Sequence, residues 1–223
     1  MMLFNDADRA RIADAIAAAE RGTAGEIVVI TASRRHRYTT TALSVAALLA
    51  LALPLLALLA GWSPAALLAD WADVDATTRI ARAVEALVAA QALLFLAVLA
   101  LLLLTPLHRL LTPKGLRHDR VHKDAVLQFR ARGLDRTAGR TGVLIYVDEP
   151  EHMAEVVADS GIFTKVAADE WHDTIKVLID GARNGRPADG LVAAIARAGA
   201  LLAVHVPPVP DDVNELPNAL IEI

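Results

Sequence analysis

The sequence predicts an α/β fold: a small mixed sheet in an αβα sandwich, interrupted by a two-helix transmembrane hairpin. Two apolar tracts, residues 41–62 and 83–107, contain no Lys, Arg or Asp, and their single acid is Glu85. Each tract exceeds the ~20 residues that a helix needs to cross ~30 Å of hydrocarbon. The segments outside the tracts alternate helical and strand patterns, which is typical of a mixed α/β domain.

The soluble segments can be assigned element by element from their periodicity. Asn5 or Asp6 can cap a first helix, on which Ile12 and Ile16 share one apolar face. The apolar run 26–33 is rich in β-branched residues, as expected of a strand that is covered on both faces. The later elements are a helix at 117–132, a strand at 142–147, an antiparallel strand at 152–158, helices at 168–182 and 189–204, and an extended, proline-rich tail at 207–217.

This order predicts a domain that is split by the hairpin. Residues 1–38 form the first part of the α/β domain, and residues 39–113 form the hairpin with a short external connector. Residues 114–206 complete the domain, and residues 207–223 form the extended tail. Such an insertion is tolerable because the entropy of loop closure grows only slowly with loop length.

The cations that flank the tracts predict the orientation in the membrane. They lie before the first tract and after the second, at Arg34, Arg35, Arg37, Arg109, Lys114, Arg117, Arg120 and Lys123. The connector carries only Arg79 and Arg82. Because cytoplasmic loops carry the excess of Lys and Arg, we expect a two-helix protein of the bacterial inner membrane with both ends cytoplasmic. The alternative is that both tracts are buried helices of a soluble protein.

Composition excludes several classes of function. The net charge is −4 without a basic stripe, so nucleic acid is not an expected partner. The chain has no Cys, which excludes disulfides and thiolate metal sites. No charged residue lies near the middle of either tract, so transport is not expected. Residues 1–25 are charged and amphipathic, unlike a secretory signal peptide.

Three carboxylates are candidate ligands for Ca²⁺ or Mg²⁺, which prefer oxygen donors. Asp148 belongs to an acidic turn after the second strand, together with Glu149 and Glu151. Asp159 closes the third strand, two residues before Gly161, and Asp189 stands where a helix should begin. The alternatives are a solvated turn for Asp148 and an ordinary helix N-cap for Asp189.

Two further groups of charged residues could have a structural or a binding role. Arg140 could bind an anion or form an ion pair with Glu26, and we expect the ion pair. His118 and His122 share one helical face, a spacing that can bind a transition metal. No third ligand is apparent from the sequence, so a solvated basic face is the expected role of these histidines.

Several motifs resemble those of the TPM domain family. They are Asp6-Ala-Asp-Arg-Ala-Arg-Ile12, Gly25-Glu-Ile-Val-Val29, Arg140-Thr-Gly-Val-Leu-Ile-Tyr146, Ala158-Asp-Ser-Gly-Ile162, Asp189-Gly-Leu191 and Asn214-Glu-Leu-Pro217. They cover both soluble parts, and the last four resemble a bacterial membrane subgroup. The resemblance implies an αβα sandwich. Some relatives are described as acid phosphatases and others as binding divalent cations.

The expected function is a non-enzymatic interaction or assembly module at the cytoplasmic face of the membrane. Its candidate cofactor is Ca²⁺ or Mg²⁺. Its partners would be the lipid bilayer and either another membrane protein or a second copy of the chain. The docking strip would be Asn214, Glu215, Leu216 and Pro217. The alternative is a divalent-cation-dependent acid phosphatase, although no Gly-x-Ser-x-Gly elbow or Cys nucleophile is present.

Overall fold

The computed structural model describes residues 4–62, 75–167, 169–209 and 214–223. Within these residues the chain forms eight α-helices and a four-stranded mixed sheet. Contacts divide it into two compact units, one comprising residues 1–35 and 114–223 and the other residues 36–113. The helices are α1 (Asp6–Glu20), α2 (Thr39–Leu59), α3 (Ala76–Leu104), α4 (Leu107–Leu111), α5 (Lys114–Ala131), α6 (Ser160–Phe163), α7 (Glu170–Arg183) and α8 (Pro187–His205).

The sheet belongs to the first unit and has the strand order β3-β2-β1-β4. Its strands are β1 (Glu26–Ala32), β2 (Gly142–Asp148), β3 (Met153–Ala158) and β4 (Leu220–Glu222). Strand β1 pairs in parallel with β2 on one side and with β4 on the other, whereas β2 and β3 are antiparallel. The predicted mixed sheet and the antiparallel β2–β3 pair are therefore confirmed.

Both faces of the sheet are covered. On one face, Ile27 and Val29 of β1 pack with α1, α7 and α8. On the other, Val28 and Ile30 pack with Val121, Ala125 and Phe129 of α5. Every residue of β1 is buried, which explains its unbroken apolar sequence.

Helix α8 lies in the core of this first unit. Its small residues allow close approach: a Cβ added at Gly199 would lie 2.6 Å from Cβ of Ala19 in α1. Although α8 is long and apolar enough to cross a membrane, 44% of its apolar window is buried, against 17% for α2 and 6% for α3. We therefore assign α8 to the core.

The second unit contains the two predicted apolar helices. Helices α2 and α3 pack against each other, and the buried residues of α2 are Ala42, Ala46 and Ala50, at intervals of four. Such small residues let helix backbones approach closely. The Thr112 hydroxyl donates a hydrogen bond to the Thr41 hydroxyl at 3.1 Å. Helix α3 begins at Ala76, earlier than the tract at 83–107 indicates, because Asp75 caps it.

Most boundaries in the first unit agree with the sequence. Helix α1 begins at Asp6 with Asn5 as its N-cap, and Asn5 and Asp8 form a capping box. The predicted helix at 168–182 is α7, which begins at Glu170; residue 168 lies outside the described residues. Three of the named helices and strands were not predicted: the short helices α4 and α6 and strand β4.

Candidate functional site

The three candidate metal ligands lie far apart. Asp148 ends β2, whereas Asp159 follows β3, whose last residue, Ala158, pairs with Val143 near the start of β2. Because β2 and β3 are antiparallel, Asp148 and Asp159 lie at opposite ends of the sheet, roughly 20 Å apart at ~3.3 Å per residue. Asp189 lies on α8. The structure does not bring these three carboxylates together.

Asp148 has a local role in the turn after β2. Its side chain is fully buried, and Oδ1 accepts a hydrogen bond from the Glu151 amide at 3.0 Å. The Glu151 carboxylate in turn lies 3.2 Å from the Arg117 guanidinium of α5. In the same turn, burial raises the pKa of Glu149, and the nearby Glu222 carboxylate raises it further. The acidic turn is therefore partly buried and held by its own contacts, not a solvated loop.

Asp159 caps helix α6 at the other end of the sheet. Its Oδ1 accepts hydrogen bonds from the Ser160 amide at 2.6 Å and the Ser160 hydroxyl at 3.1 Å. The backbone is crowded here, since a Cβ added at Gly161 would lie 2.5 Å from the Arg140 carbonyl oxygen. The space beside Gly161 is therefore occupied by the backbone at Arg140 and is not open to a ligand.

Arg140 does not pair with Glu26, contrary to expectation. Its Nε lies 3.7 Å from Asp159 Oδ2, and its Nη1 donates a hydrogen bond to the Asp135 carbonyl at 2.8 Å. The residue adopts a positive φ of 54°, which turns the chain into β2. Arg140 and Glu26 do begin adjacent parallel strands, since Glu26 pairs with Gly142. Their side chains nevertheless have different partners.

Asp189 is not the N-cap of α8, as one alternative held. The helix begins two residues earlier at Pro187, with Arg186 in the N-cap position. The Asp189 carboxylate accepts a hydrogen bond from Arg11 of α1 at 2.6 Å, and this contact lowers its pKa. Asp189 thus joins α8 to α1 at the surface of the domain.

The segment expected to be a docking strip contacts its own domain. Glu26 Oε1 accepts a hydrogen bond from the Glu215 amide at 3.0 Å, and the Glu215 carboxylate accepts one from the Ala138 amide at 3.0 Å. Leu216 packs against the apolar cluster beneath α5. The chain then enters β4 beside β1. Residues 214–217 therefore hold the segment that leads into β4 against the start of β1 and the loop before β2.

A pocket of about 400 Å³ opens beside this attachment. Glu20 and Glu26 both contribute to it, and Glu20 Oε1 accepts a hydrogen bond from the Ile27 amide at 2.9 Å. The pocket is lined by Ala17, Glu20, Arg21, Thr23, Gly25, Glu26, Pro208, Asn214 and Asn218.

One cluster with binding chemistry joins α5 to β3. Glu155 of β3 lies between the two histidines of α5: Oε1 is 3.2 Å from His118 Nε2, and Oε2 is 3.5 Å from His122 Nδ1. As these side chains stand, no three His, Asp or Glu residues of the described part of the chain form a group able to hold a metal. Glu155 was missed by sequence reasoning. The sequence carried one signal for it. Side chains two residues apart on a strand share a face, and Glu155 lies between Met153 and Val157, which both face the core.

Comparison with known proteins gives one similar fold. The chain is similar to the NMR structure of the BA42 protein from the psychrophilic bacterium Bizionia argentinensis, with a TM-score of 0.58 and 21% sequence identity. The match covers 99% of this chain and 95% of that one. At this identity the similarity shows the fold alone. No protein-family model and no curated protein matches the chain.

Proposed function

We propose that the chain is a membrane-anchored, TPM-like α/β protein whose soluble domain is a non-enzymatic interaction module at the cytoplasmic face of a bacterial inner membrane. The observation that carries the anchor is the exposure of large apolar side chains on α2 and α3. Leu48, Leu59, Leu93 and Leu104 are between 66% and 86% exposed. Apolar surface of this extent needs a lipid or protein environment.

The length and the internal packing of these helices also support a hairpin. Helices α2 and α3 contain 21 and 29 residues, enough to cross a bilayer. The buried residues of α2 are small, and most of the exposed large side chains of both helices are leucines, which is the arrangement expected of helices surrounded by lipid. The cations flanking the hairpin favour cytoplasmic ends.

The TPM assignment is supported by where the motif residues lie. Arg140–Tyr146 runs through β2, Asp159 caps α6, and Asn214–Pro217 leads to β4. Together with Gly25–Val29, which runs into β1, these segments surround the sheet of one domain, although the hairpin separates β1 from them in sequence. The αβα arrangement implied by the resemblance agrees with the two covered faces of this sheet.

An interaction role is favoured over catalysis because the candidate acids already have structural partners. Asp148 binds the Glu151 amide, Asp159 caps α6, and Asp189 pairs with Arg11. A phosphatase using Ca²⁺ or Mg²⁺ would need several such oxygens on one ion. The expected partner is another membrane protein or a second copy of the chain.

Cysteine accessibility tests the anchor directly, since the chain has no native Cys. Thr77→Cys, at the start of α3, should react with a membrane-impermeant maleimide in cells whose outer membrane is permeabilised. Asp14→Cys and Lys176→Cys, on exposed positions of α1 and α7, should react only after lysis. Equal labelling of all three in these permeabilised cells before lysis, or recovery of the protein without detergent, would contradict the proposal.

The non-enzymatic role needs a separate test. We expect the purified full chain to release no phosphate from p-nitrophenyl phosphate with either Ca²⁺ or Mg²⁺, and to co-purify with a defined membrane protein or a second copy after cross-linking in cells. Hydrolysis that is lost in Asp159→Asn but retained in Asp14→Asn would instead establish the phosphatase.

A further inference from the structure

Glu155 is an acid on a strand face that is otherwise apolar. It pairs in register with buried Tyr146, between Met153 and Val157, which pack on the cluster beneath α5. The Glu155 side chain is only 14% exposed, and its Oε1 is buried with no hydrogen-bond partner. Burying a carboxylate oxygen costs free energy unless a donor or a cation lies beside it, and the group beside Oε1 is the His118 imidazole at 3.2 Å.

The nearest groups to this carboxylate are two imidazoles. His118 and His122 lie four residues apart on α5, so their side chains project from the same face. Their side chains are 63% and 57% exposed, so a metal ion can reach them from solvent. Two histidines at this spacing on a helix form a common transition-metal chelate.

The two imidazole–carboxylate distances in this cluster are close to the separation of neighbouring ligands in a tetrahedral site, although each ends on a different oxygen of Glu155. With metal–nitrogen and metal–oxygen bonds of about 2.0–2.1 Å, two ligands of a tetrahedral site lie roughly 3.4 Å apart. The imidazole–carboxylate distances are 3.2 Å and 3.5 Å. The two histidines now face different oxygens of Glu155, so binding requires their exposed rings to rotate towards one point.

We infer that His118, His122 and Glu155 form a Zn²⁺-class transition-metal site that joins helix α5 to the edge strand β3. Two nitrogens and one oxygen are ligands that Zn²⁺, Ni²⁺ and Cu²⁺ accept, whereas Ca²⁺ and Mg²⁺ prefer oxygen alone. Water would complete the coordination on the exposed side. The ion would neutralise the buried oxygen of Glu155 and link the two elements.

Zinc titration of the purified full chain in detergent micelles tests this inference. We expect Zn²⁺ to raise the melting temperature and Ca²⁺ to have no such effect, because an ion that binds the folded chain stabilises it and imidazole is a ligand for transition metals. Co²⁺ should give the visible absorption of a tetrahedral complex.

Single substitutions assign the ligands. His118→Ala, His122→Ala and Glu155→Gln should each weaken Zn²⁺ affinity by about tenfold or more. The matched control is His172→Ala, which removes an exposed histidine from α7 and should leave affinity unchanged. Three results would overturn the inference: no Zn²⁺ stabilisation, wild-type affinity in Glu155→Gln, or equal loss in the control. Because cysteine labelling of the hairpin is read separately, failure here is distinguishable from failure of the membrane anchor.

Discussion

The carboxylate of Glu26 accepts a hydrogen bond from the backbone amide of Glu215, 189 residues further along the chain, at 3.0 Å. Glu26 opens the central strand β1, and Glu215 precedes the edge strand β4. This contact fixes the approach of the last strand to the sheet. It also explains why Glu26, although acidic, is only 7% exposed at the start of β1.

Removing the Glu26 acceptor should therefore loosen the last strand. We expect Glu26→Ala to lower the free energy of unfolding by about 1–3 kcal/mol, the cost of losing hydrogen bonds to a buried charged group. Urea or thermal unfolding of the purified chain measures the loss. Glu26→Gln keeps an oxygen at the same place and should lose less. Equal stability of Glu26→Ala and the wild type would contradict the role of this contact.

The close approach of α8 to α1 predicts a large effect from a single methyl group. Gly199→Ala would place Cβ 2.6 Å from Ala19 Cβ and 3.0 Å from its Cα, so the helices must separate. We expect a loss of about 1–3 kcal/mol in stability, as is typical of overpacked cores. The control is Gly115→Ala on α5, where nothing lies within 4 Å of the added Cβ. That variant should be at least as stable as the wild type, since Gly115 lies in the first turn of α5 and alanine is the better helix former.

The buried small residues of α2 allow a test of its packing on α3. Ala46 is fully buried, whereas the adjacent Ala47 is exposed. Ala46→Leu should push α2 away from α3 and lower the unfolding temperature in micelles, by an amount corresponding to about 1–3 kcal/mol. Ala47→Leu adds the same volume on the outer side and should leave the temperature unchanged. If both variants behave alike, the packing of α2 on α3 is not as described.

The raised pKa of Glu149 predicts that replacing this residue changes stability in a pH-dependent way. Burial, and then the Glu222 carboxylate, raise the pKa of Glu149 above its ordinary value of 4.5 in the folded chain. The Glu149 carboxyl therefore contributes fully to the free energy of folding below its ordinary pKa, where it is protonated. This contribution is lost as the pH rises through the pKa of the folded chain. Glu149→Gln should raise the melting temperature at about pH 7 and change it little at about pH 4, below the ordinary carboxyl pKa. Asp14→Asn, on an exposed position of α1, should show no such pH-dependent difference.

The strongly patterned elements could be predicted from sequence, and a short edge strand could not. Strands β1 and β2 are apolar runs rich in β-branched and aromatic residues, so their burial on both faces follows from composition. Strand β4 has only three residues after a proline-rich segment. Its place beside β1 is determined by long-range contacts such as the one between Glu26 and Glu215, which local periodicity does not reveal.

The candidate site could be predicted only in part because sequence does not fix which side chains meet. Asp148 and Asp159 are separated by the length of an antiparallel pair, and Asp189 is directed to Arg11 by the packing of α8 on α1. Conversely, the histidine pair on α5 was visible as a spacing. Its carboxylate partner was not, because the contact depends on which residue of β3 lies beneath α5.

Strand β4 also imposes an order on synthesis. Strand β1 is among the first segments made, yet its partner along one edge comes from residues 220–222. Both apolar helices leave the ribosome in between. The edge of β1 must consequently remain without this partner until the hairpin segments have been translated, so a chain stalled shortly after the second apolar helix would present an open strand edge, the feature that promotes aggregation.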